Sequence, residues 1–319
     1  MTAGPVLVVS RVDDVTADVV VEELNRRRVP VVRLDPGDFP EAVGVSVRAD
    51  GGLSGTVATE SRSMEVAAVR SVYWRRPRPY TAAVGLAGQD ARWCVQEARH
   101  GLGGVLAALP GAHYVNHPWR NRDAEYKPAQ LALAGRCGFE VPPTLLTNDL
   151  EDARRFAREY GPVVYKPLRA TDYHDDTGRA LTVWVDEVDP AELHEGVGAT
   201  MHLFQRRVPS VADLRVTAVG EKIFTVRIDG SRGLDWRRHY DALSYSLIDT
   251  PSALEKAVRA YMDAAGLVFG AFDLGLDADG RAWWYECNPN GQYAWFPSAI
   301  SMPIVSAVAD QLQHAGEPT

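Results

Sequence analysis

Two strand-like runs near the C-terminus, Phe269 to Leu276 and Ala282 to Cys287, are separated by Asp277-Ala278-Asp279-Gly280. Asp-Gly between such runs is a strong hairpin signal, because a type I′ turn needs positive φ at both central residues. This feature demands an antiparallel pair late in the chain and gives it a register. With Asp279 and Gly280 as a two-residue loop, Asp273 falls opposite Glu286. Glu286 and Asn288 then share a face through the two-residue strand period. Opposed carboxylates stand roughly 5 Å apart and repel unless positive charge lies between them. With an amide oxygen beside them, they suit Mg2+, which takes one or two carboxylates together with phosphate oxygens. Asp277 and Asp279, in the turn, read as solvated acids. Asp273 does not, because Phe272, Leu274 and Leu276 surround it and Trp283 to Tyr285 flank its partner. The pattern alone leaves a metal site and an acidic hairpin face both open, and a longer loop would shift the register.

At the other end, residues 5 to 39 read as strand, helix, strand. Val6 to Val9 is apolar, Asp18 to Arg28 has helical spacing, and Val29 to Leu34 is apolar again. That alternation predicts a parallel α/β unit. No G-x-G-x-x-G follows the first strand, so dinucleotide binding has no support. Ser71 to Trp74 reads as a strand, Gln89 to Leu109 as a long helix, and Tyr114 to Asn116 as a short strand leading to a boundary at His117-Pro118. One helix is expected between Arg120 and Thr147, with Pro128 at its first position and Gly138 just past its end. A second helix covers 150 to 160, and strands are expected at Val163 to Lys166, Leu181 to Val185 and Leu203 to Val208. The polar stretch Thr171 to Arg179 reads as a mobile loop. From Asp213 onward the pattern is antiparallel strands with flanking helices, as in α+β folds.

The 319 residues carry a formal net charge of -8, with 46% hydrophobic and 24% charged. An acidic balance of this kind argues against general affinity for nucleic acid or an anionic membrane. No apolar run approaches the roughly 20 residues that a spanning helix needs. Cys94, Cys137 and Cys287 form no C-x-x-C pair, which fits a reduced, cytoplasmic protein.

Lys127, at a helix start, and Lys166, at a strand end, are compact charges suited to phosphate oxygens; each could equally snorkel to water. The loop after Lys166 could fold over a nucleotide, although its single glycine, Gly178, makes a poor phosphate cradle. The strand at residues 202 to 209 breaks at Pro209, and a strand end of this kind can offer backbone groups to an adenine edge or be an ordinary edge strand. Asp213 and Arg215 lie two apart on one face, as a hydroxyl acceptor and an anion clamp would. His113, His117 and His174 form no ligand set.

In this order the motifs resemble the ATP-grasp superfamily: Lys127 before a helix, Lys166 in Val-Tyr-Lys-Pro, Phe-Gln-Arg-Arg-Val before Asp-Leu-Arg, then Phe-Asp-Leu and Tyr-Glu-Cys-Asn-Pro-Asn-Gly-Gln. Within it the chain is similar to the graspetide, or microviridin-like, peptide maturases. Tyr-Trp-Arg-Arg-Pro at 73–77, Pro-Thr-Leu-Leu-Thr-Asn-Asp at 143–149, Asp-Trp-Arg at 235–237 and Asn-Pro-Asn-Gly-Gln-Tyr-Ala-Trp at 288–295 carry that likeness. The resemblance implies an ATP-grasp fold with an N-terminal pre-ATP-grasp α/β domain at 1–118, a central lid segment at 119–204 and a C-terminal ATP-grasp segment at 205–319. It implies ATP and Mg2+ as cofactors, and a ribosomal precursor peptide with a leader and an acidic core as partner. Asp or Glu side chains would be phosphorylated, then attacked by Ser, Thr or Lys to close ester or amide rings.

Carried over by position, Lys127 and Lys166 would bind phosphates, and Asp273, Glu286 and Asn288 would hold Mg2+. The backbone of Gln205, Arg206, Arg207 and Val208 would receive adenine, and Asp213 the ribose. Arg215 and Arg237, with Arg227 as a further candidate, would stabilise an acyl phosphate. Arg206 stands where many relatives have Glu, so the adenine contact is expected from backbone alone. No general base stands out, and a homodimer is kept open as the assembly. An amino-acid ligase of the same superfamily, and a non-catalytic ATP- or peptide-binding scaffold, are the rival readings.

Overall fold

Four branched apolar residues in a row suit a strand covered on both faces, and Val6–Val9 forms such a strand, β1, fully buried. Helix α1 (Val15–Arg26) follows. It starts earlier than Asp18 because Asp14 caps it, accepting from the N–H groups of Thr16 at 3.0 Å and Ala17 at 3.2 Å. Strand β2 (Val31–Leu34) returns parallel to β1. Strands β3 (Val43–Ala49), β4 (Leu53–Thr59) and β5 (Ser63–Glu65) form an antiparallel meander that the sequence reading did not assign. Strand β6 (Ser71–Trp74), helix α2 (Gly88–Ala107) and strand β7 (His113–Val115) complete a four-stranded parallel sheet of order β2-β1-β6-β7. This structure, a computed structural model, describes residues 4–169, 173–230, 234 and 243–313.

The expected single helix after His117 is two: α3 (Pro118–Ala124) and α4 (Lys127–Arg136). Pro118 reads as a boundary in the sequence, but it serves as the first residue of α3, where its missing N–H costs nothing. Next come β8 (Thr144–Thr147), α5 (Leu150–Tyr160) and β9 (Val163–Lys166), then the short β10 (Tyr173–His174), β11 (Ala180–Leu181) and β12 (Asp186–Glu187), and β13 (His202–Arg206). The strand expected from Leu181 to Val185 is not formed: Leu181 closes β11, and β12 begins at Asp186. Strands β12-β9-β13-β8 make one antiparallel sheet, and β10 pairs with β11 alone.

The last sheet, β16-β15-β14-β17-β18, is built from β14 (Ser210–Val219), β15 (Lys222–Asp229), β16 (Ser244–Ile248), β17 (Phe269–Asp277) and β18 (Ala282–Asn288), with α6 (Ser252–Ala265) and α7 (Ser298–Gln313). One face packs Leu214, Val216, Phe272, Leu274 and Trp284 against Tyr261 of α6 and Phe139. The other packs Val219, Val226 and Ala271 with Ile304 and Val308 of α7 and with Val6, Val20 and Tyr73 of the N-terminal layer. Helix α7 thus joins the parallel and antiparallel sheets in one core. Among the described residues no helix is long and apolar enough to cross a membrane.

Candidate active site

The hairpin of β17 and β18 corrects one expectation. Its loop has three residues, not two: Asp277 N–H donates to Arg281 O at 3.0 Å and Gly280 N–H to Asp277 O at 3.1 Å. Gly280 has φ 79°, the left-handed conformation that three-residue hairpins place on glycine. Asp277 sets the longer loop, accepting from Asp279 N at 3.0 Å, Arg281 N at 2.9 Å and Trp283 Nε1 at 2.8 Å. The indole hydrogen bond foremost, then that from Arg281, hold its carboxyl below the usual range. Near the turn the pairing is therefore one residue out, with Leu276 opposite Ala282. A bulge between Asp273 and Leu274 absorbs the extra residue, and beyond it Asp273 faces Glu286 and Ala271 faces Asn288. The longer loop and the bulge cancel.

At this end of the hairpin, Asn288 Nδ2 donates to Asp273 Oδ2 at 3.2 Å and to Glu286 Oε1 at 3.1 Å. A polarised N–H group thus stands between the two carboxylates, where electrostatics asks for positive charge. Arg215 Nη1 donates to Asp273 Oδ1 at 2.7 Å, and both side chains are almost fully buried. Lys127 Nζ lies 3.4 Å from Glu286 Oε2 and donates to Pro167 O at 2.8 Å. Among the described residues no group of three or more His, Cys, Asp or Glu could hold a metal ion. The set here is two carboxylates and an amide, a hard-oxygen donor set that fits Mg2+ once Asn288 turns its oxygen inward and phosphate supplies the remaining ligands.

Lys166, at the end of β9, donates to Gln205 Oε1 at 3.2 Å, and its ammonium lies 4.7 Å from the centre of the Tyr285 ring. Burial pushes the Tyr285 phenol up to about 12, so it stays protonated. Gln205 is itself buried and donates Nε2 to Thr144 Oγ1 at 2.8 Å. The Arg206 guanidinium lies 5.1 Å from the centre of the Trp283 ring, a cation–π contact that a Glu at this position could not make. The N–H groups of Arg206 and Arg207 are spent on Pro143 O and Pro162 O, both at 2.9 Å. Among the described residues the N–H of Val208 has no such partner, so this is the donor the hinge can offer.

The structure brings Asp213, Arg215 and Asp273 to one face, since Asp213 pairs with Gly275 and Arg215 with Asp273 across β14 and β17. Arg227 is not among them. It pairs in register with Leu214, on the face covered by α6, and its Nε donates to Asp229 Oδ1 at 2.9 Å. Arg237 lies outside the described residues. Of the three arginines expected to stabilise an acyl phosphate, the described residues therefore bring only Arg215 to this face.

Three supports were missed in the sequence. Arg75, buried, donates Nε to Asp14 at 3.2 Å and Nη1 to Asn290 O at 3.1 Å and Gly291 O at 3.0 Å. Asn116 Oδ1 accepts from the N–H groups of Val268 at 2.7 Å and Phe269 at 2.8 Å, while its Nδ2 reaches Pro289 O at 3.1 Å. Gln130 pairs with both backbone groups of Cys287, each at 3.0 Å. Each fixes the Asn-Pro-Asn-Gly segment or the strand before it. The tandem arginines after β6 were the visible signal for the first; nothing in the local sequence marks the other two.

Residues 5–122 match the family model of the MvdD pre-ATP-grasp domain. Macrocyclase MdnC from Microcystis aeruginosa MRC, solved with precursor peptide MdnA bound, is 27% identical, with a TM-score of 0.86 over 98% of this chain and 99% of that one. The chain is an ATP-grasp ligase and resembles the graspetide maturases. A RiPP-associated ATP-grasp ligase of Chryseobacterium gregarium, in complex with ADP and a leader and core peptide, is 23% identical with a TM-score of 0.89 over 98% of both chains. ATP-grasp ligase PsnB, with minimal precursor, Mg and ADP, is 22% identical with a TM-score of 0.73 over 97% of this chain and 98% of that one. At those last two identities the likeness speaks for the fold of this ligase. No curated protein matches the chain.

Proposed function

We propose that this ligase uses Mg·ATP to phosphorylate Asp or Glu side chains of a ribosomally made precursor peptide and closes ester or amide crosslinks with Thr, Ser or Lys. The observation that carries the reading is the facing pair Asp273 and Glu286, bridged by Asn288 and flanked by Lys127 and Arg215. The likeness to MdnC, described as a macrocyclase bound with its precursor peptide, supports the substrate class. The division at 118 and 204 into pre-ATP-grasp, lid and C-terminal segments belongs to the same proposal.

In this reading Asp273, Glu286 and Asn288 hold Mg2+, which when bound offsets charge on the phosphate oxygens. Lys127 and Lys166 take phosphate oxygens from two sides, and Val208 offers its N–H to the adenine edge. Asp213 accepts from a ribose hydroxyl. Arg215, assisted by Arg237, stabilises the acyl phosphate as ADP leaves. Arg227 keeps its partner Asp229 and has no part. A hydroxyl or amine of the same peptide then attacks the acyl carbon, phosphate departs, and the closed ring has lost one water overall.

The test is mass spectrometry of a short acidic, Thr- or Lys-containing peptide encoded beside this gene, after incubation with the ligase and Mg·ATP. Loss of one water per ring, with fragmentation suppressed between an acidic residue and Thr, Ser or Lys, is the expected result. A gain of one amino-acid mass would replace macrocyclisation with amino-acid ligation.

A further inference from the structure

Tyr285 is the residue that the bulge adds to β18. Asp273 pairs with Glu286 and the next residue, Leu274, with Trp284, so Tyr285 is passed over. Without the bulge, Trp284 and Glu286 would share a face through the two-residue period. With it, Trp284 enters the core beneath α6 while Glu286 stays opposite Asp273. A bulge beside a site re-aims a side chain, and the one re-aimed here is Tyr285. Its ring lies across Gly275, two residues after Asp273 on β17. A Cβ on Gly275 would collide with the Tyr285 hydroxyl oxygen and stand 2.7 Å from the ring carbon that bears it. Tyr285 therefore lies on the polar face with Asp273 and Glu286, and glycine leaves it that room.

What the ring meets there is a cation from the other antiparallel sheet. Lys166 ends β9, and its ammonium lies 4.7 Å from the centre of the Tyr285 ring. The same ammonium donates to Gln205 Oε1 at 3.2 Å, and Gln205 is anchored in turn by Thr144 Oγ1 at 2.8 Å. It is thus set between an amide oxygen of its own sheet and a ring face of the next. Trp283, two residues earlier on β18, meets Arg206 of β13 at 5.1 Å, so two cation–π contacts join the sheets along this edge. A strand-end lysine left alone samples many rotamers, and a phosphate would have to order it on binding. Here the ring and the amide order it beforehand, which is preorganisation.

We propose that Tyr285 is a positioning residue for the nucleotide: its ring face holds the Lys166 ammonium on the side that carries Asp273 and Glu286, ready for phosphate. The bulge and Gly275 are the backbone devices that put the ring there. The contact also ties β9 to the hairpin of β17 and β18. This rests on the reading of Lys166 as a phosphate ligand given above.

The test is a double-mutant cycle read by calorimetric titration of ADP with Mg2+. Tyr285→Leu should weaken binding roughly fivefold, the worth of a partly exposed cation–π contact. Tyr285→Phe, which keeps the ring, should bind as wild type does. In a Lys166→Ala background, Tyr285→Leu should change affinity by no more than about twofold, because the ring then has no cation to hold. Gly275→Ala, which displaces the ring without removing it, should reproduce the loss, and it decides the matter if Tyr285→Leu does not fold. A loss from Tyr285→Leu as large without Lys166 as with it overturns the proposal, since the ring would then act on the nucleotide or the fold directly. So does unchanged affinity in the folded Tyr285→Leu or Gly275→Ala protein. Either result leaves Lys166 as a phosphate ligand. A Lys166→Ala protein that binds ADP as tightly as wild type removes that reading and the proposal together.

Discussion

The two faces of the C-terminal sheet share strands and periodicity, and they differ in what they bury. Beneath α6, one face of the two central strands is apolar, through Leu214, Val216 and Ala218 on β14 and Phe272 and Leu274 on β17, with Arg227 of β15 at its margin. The other begins the same way, with Val219, Val226 and Ala271 beneath α7. Partway along β14 it changes to Thr217, Arg215 and Asp213, facing Asp273. Burying an ion pair such as Arg215–Asp273 costs desolvation that its attraction does little more than offset, so apolar residues would serve stability at least as well. A buried polar switch on one face of these two central strands therefore marks function. The uniform face marks the core.

The largest effect should come from the polar half. Glu286→Gln and Asn288→Ala should each lower ADP release by about a thousandfold, the upper range for removing one electrostatic stabiliser, while thermal melting stays near wild type. Next, Leu274→Ala on the uniform face should cost about 3 kcal/mol of stability, measured by urea unfolding, while turnover per folded molecule is kept. A Leu274→Ala enzyme that melts normally but stops releasing ADP would dissolve the contrast between the faces. Lys166→Ala should weaken nucleotide binding by about tenfold, the value of one charge-assisted hydrogen bond, measured by calorimetric titration of ADP.

The smallest effect belongs to the seam that seats α7 on the apolar half. Arg27 bridges Glu23 of α1 and Asp310 of α7, each at 2.6 Å. The hydrogen bond from Arg26 foremost, opposed by burial and aided by Arg27, holds the Glu23 carboxyl at about 2, against an ordinary 4.5. A depressed carboxyl contributes stability that is complete above its unfolded value and lost as pH falls toward the folded one. Melting temperature should therefore drop between about pH 4.5 and pH 2 more steeply in wild type than in Glu23→Gln. Parallel curves would remove Glu23 from the seam.

Much of this contrast was legible in the sequence, for definite reasons. The acidic pair emerged from a turn signal and the two-residue period, although the loop is one residue longer and a bulge restores the register. Sequence has no local sign for that bulge. Arg227 was grouped with Arg215 on the family resemblance, yet the tight Gly220-Glu221 loop pairs Val219 with Lys222 and puts Arg227 opposite Leu214. Counting from that loop would have separated them. Helix α3 was hidden because Pro118 serves equally as a domain boundary and as a helix start. Asn116 and Gln130 could not be found at all, since their partners lie about 150 residues away.

The central claim is that the polar half of this face holds Mg2+ together with the nucleotide. ADP titrated calorimetrically into wild type and Glu286→Gln, each with Mg2+ and with EDTA, tests it most directly. Mg2+ should tighten ADP binding to wild type and bring little or no gain in Glu286→Gln, with both proteins folded. An equal gain from Mg2+ in the two proteins would contradict the assignment of Asp273, Glu286 and Asn288.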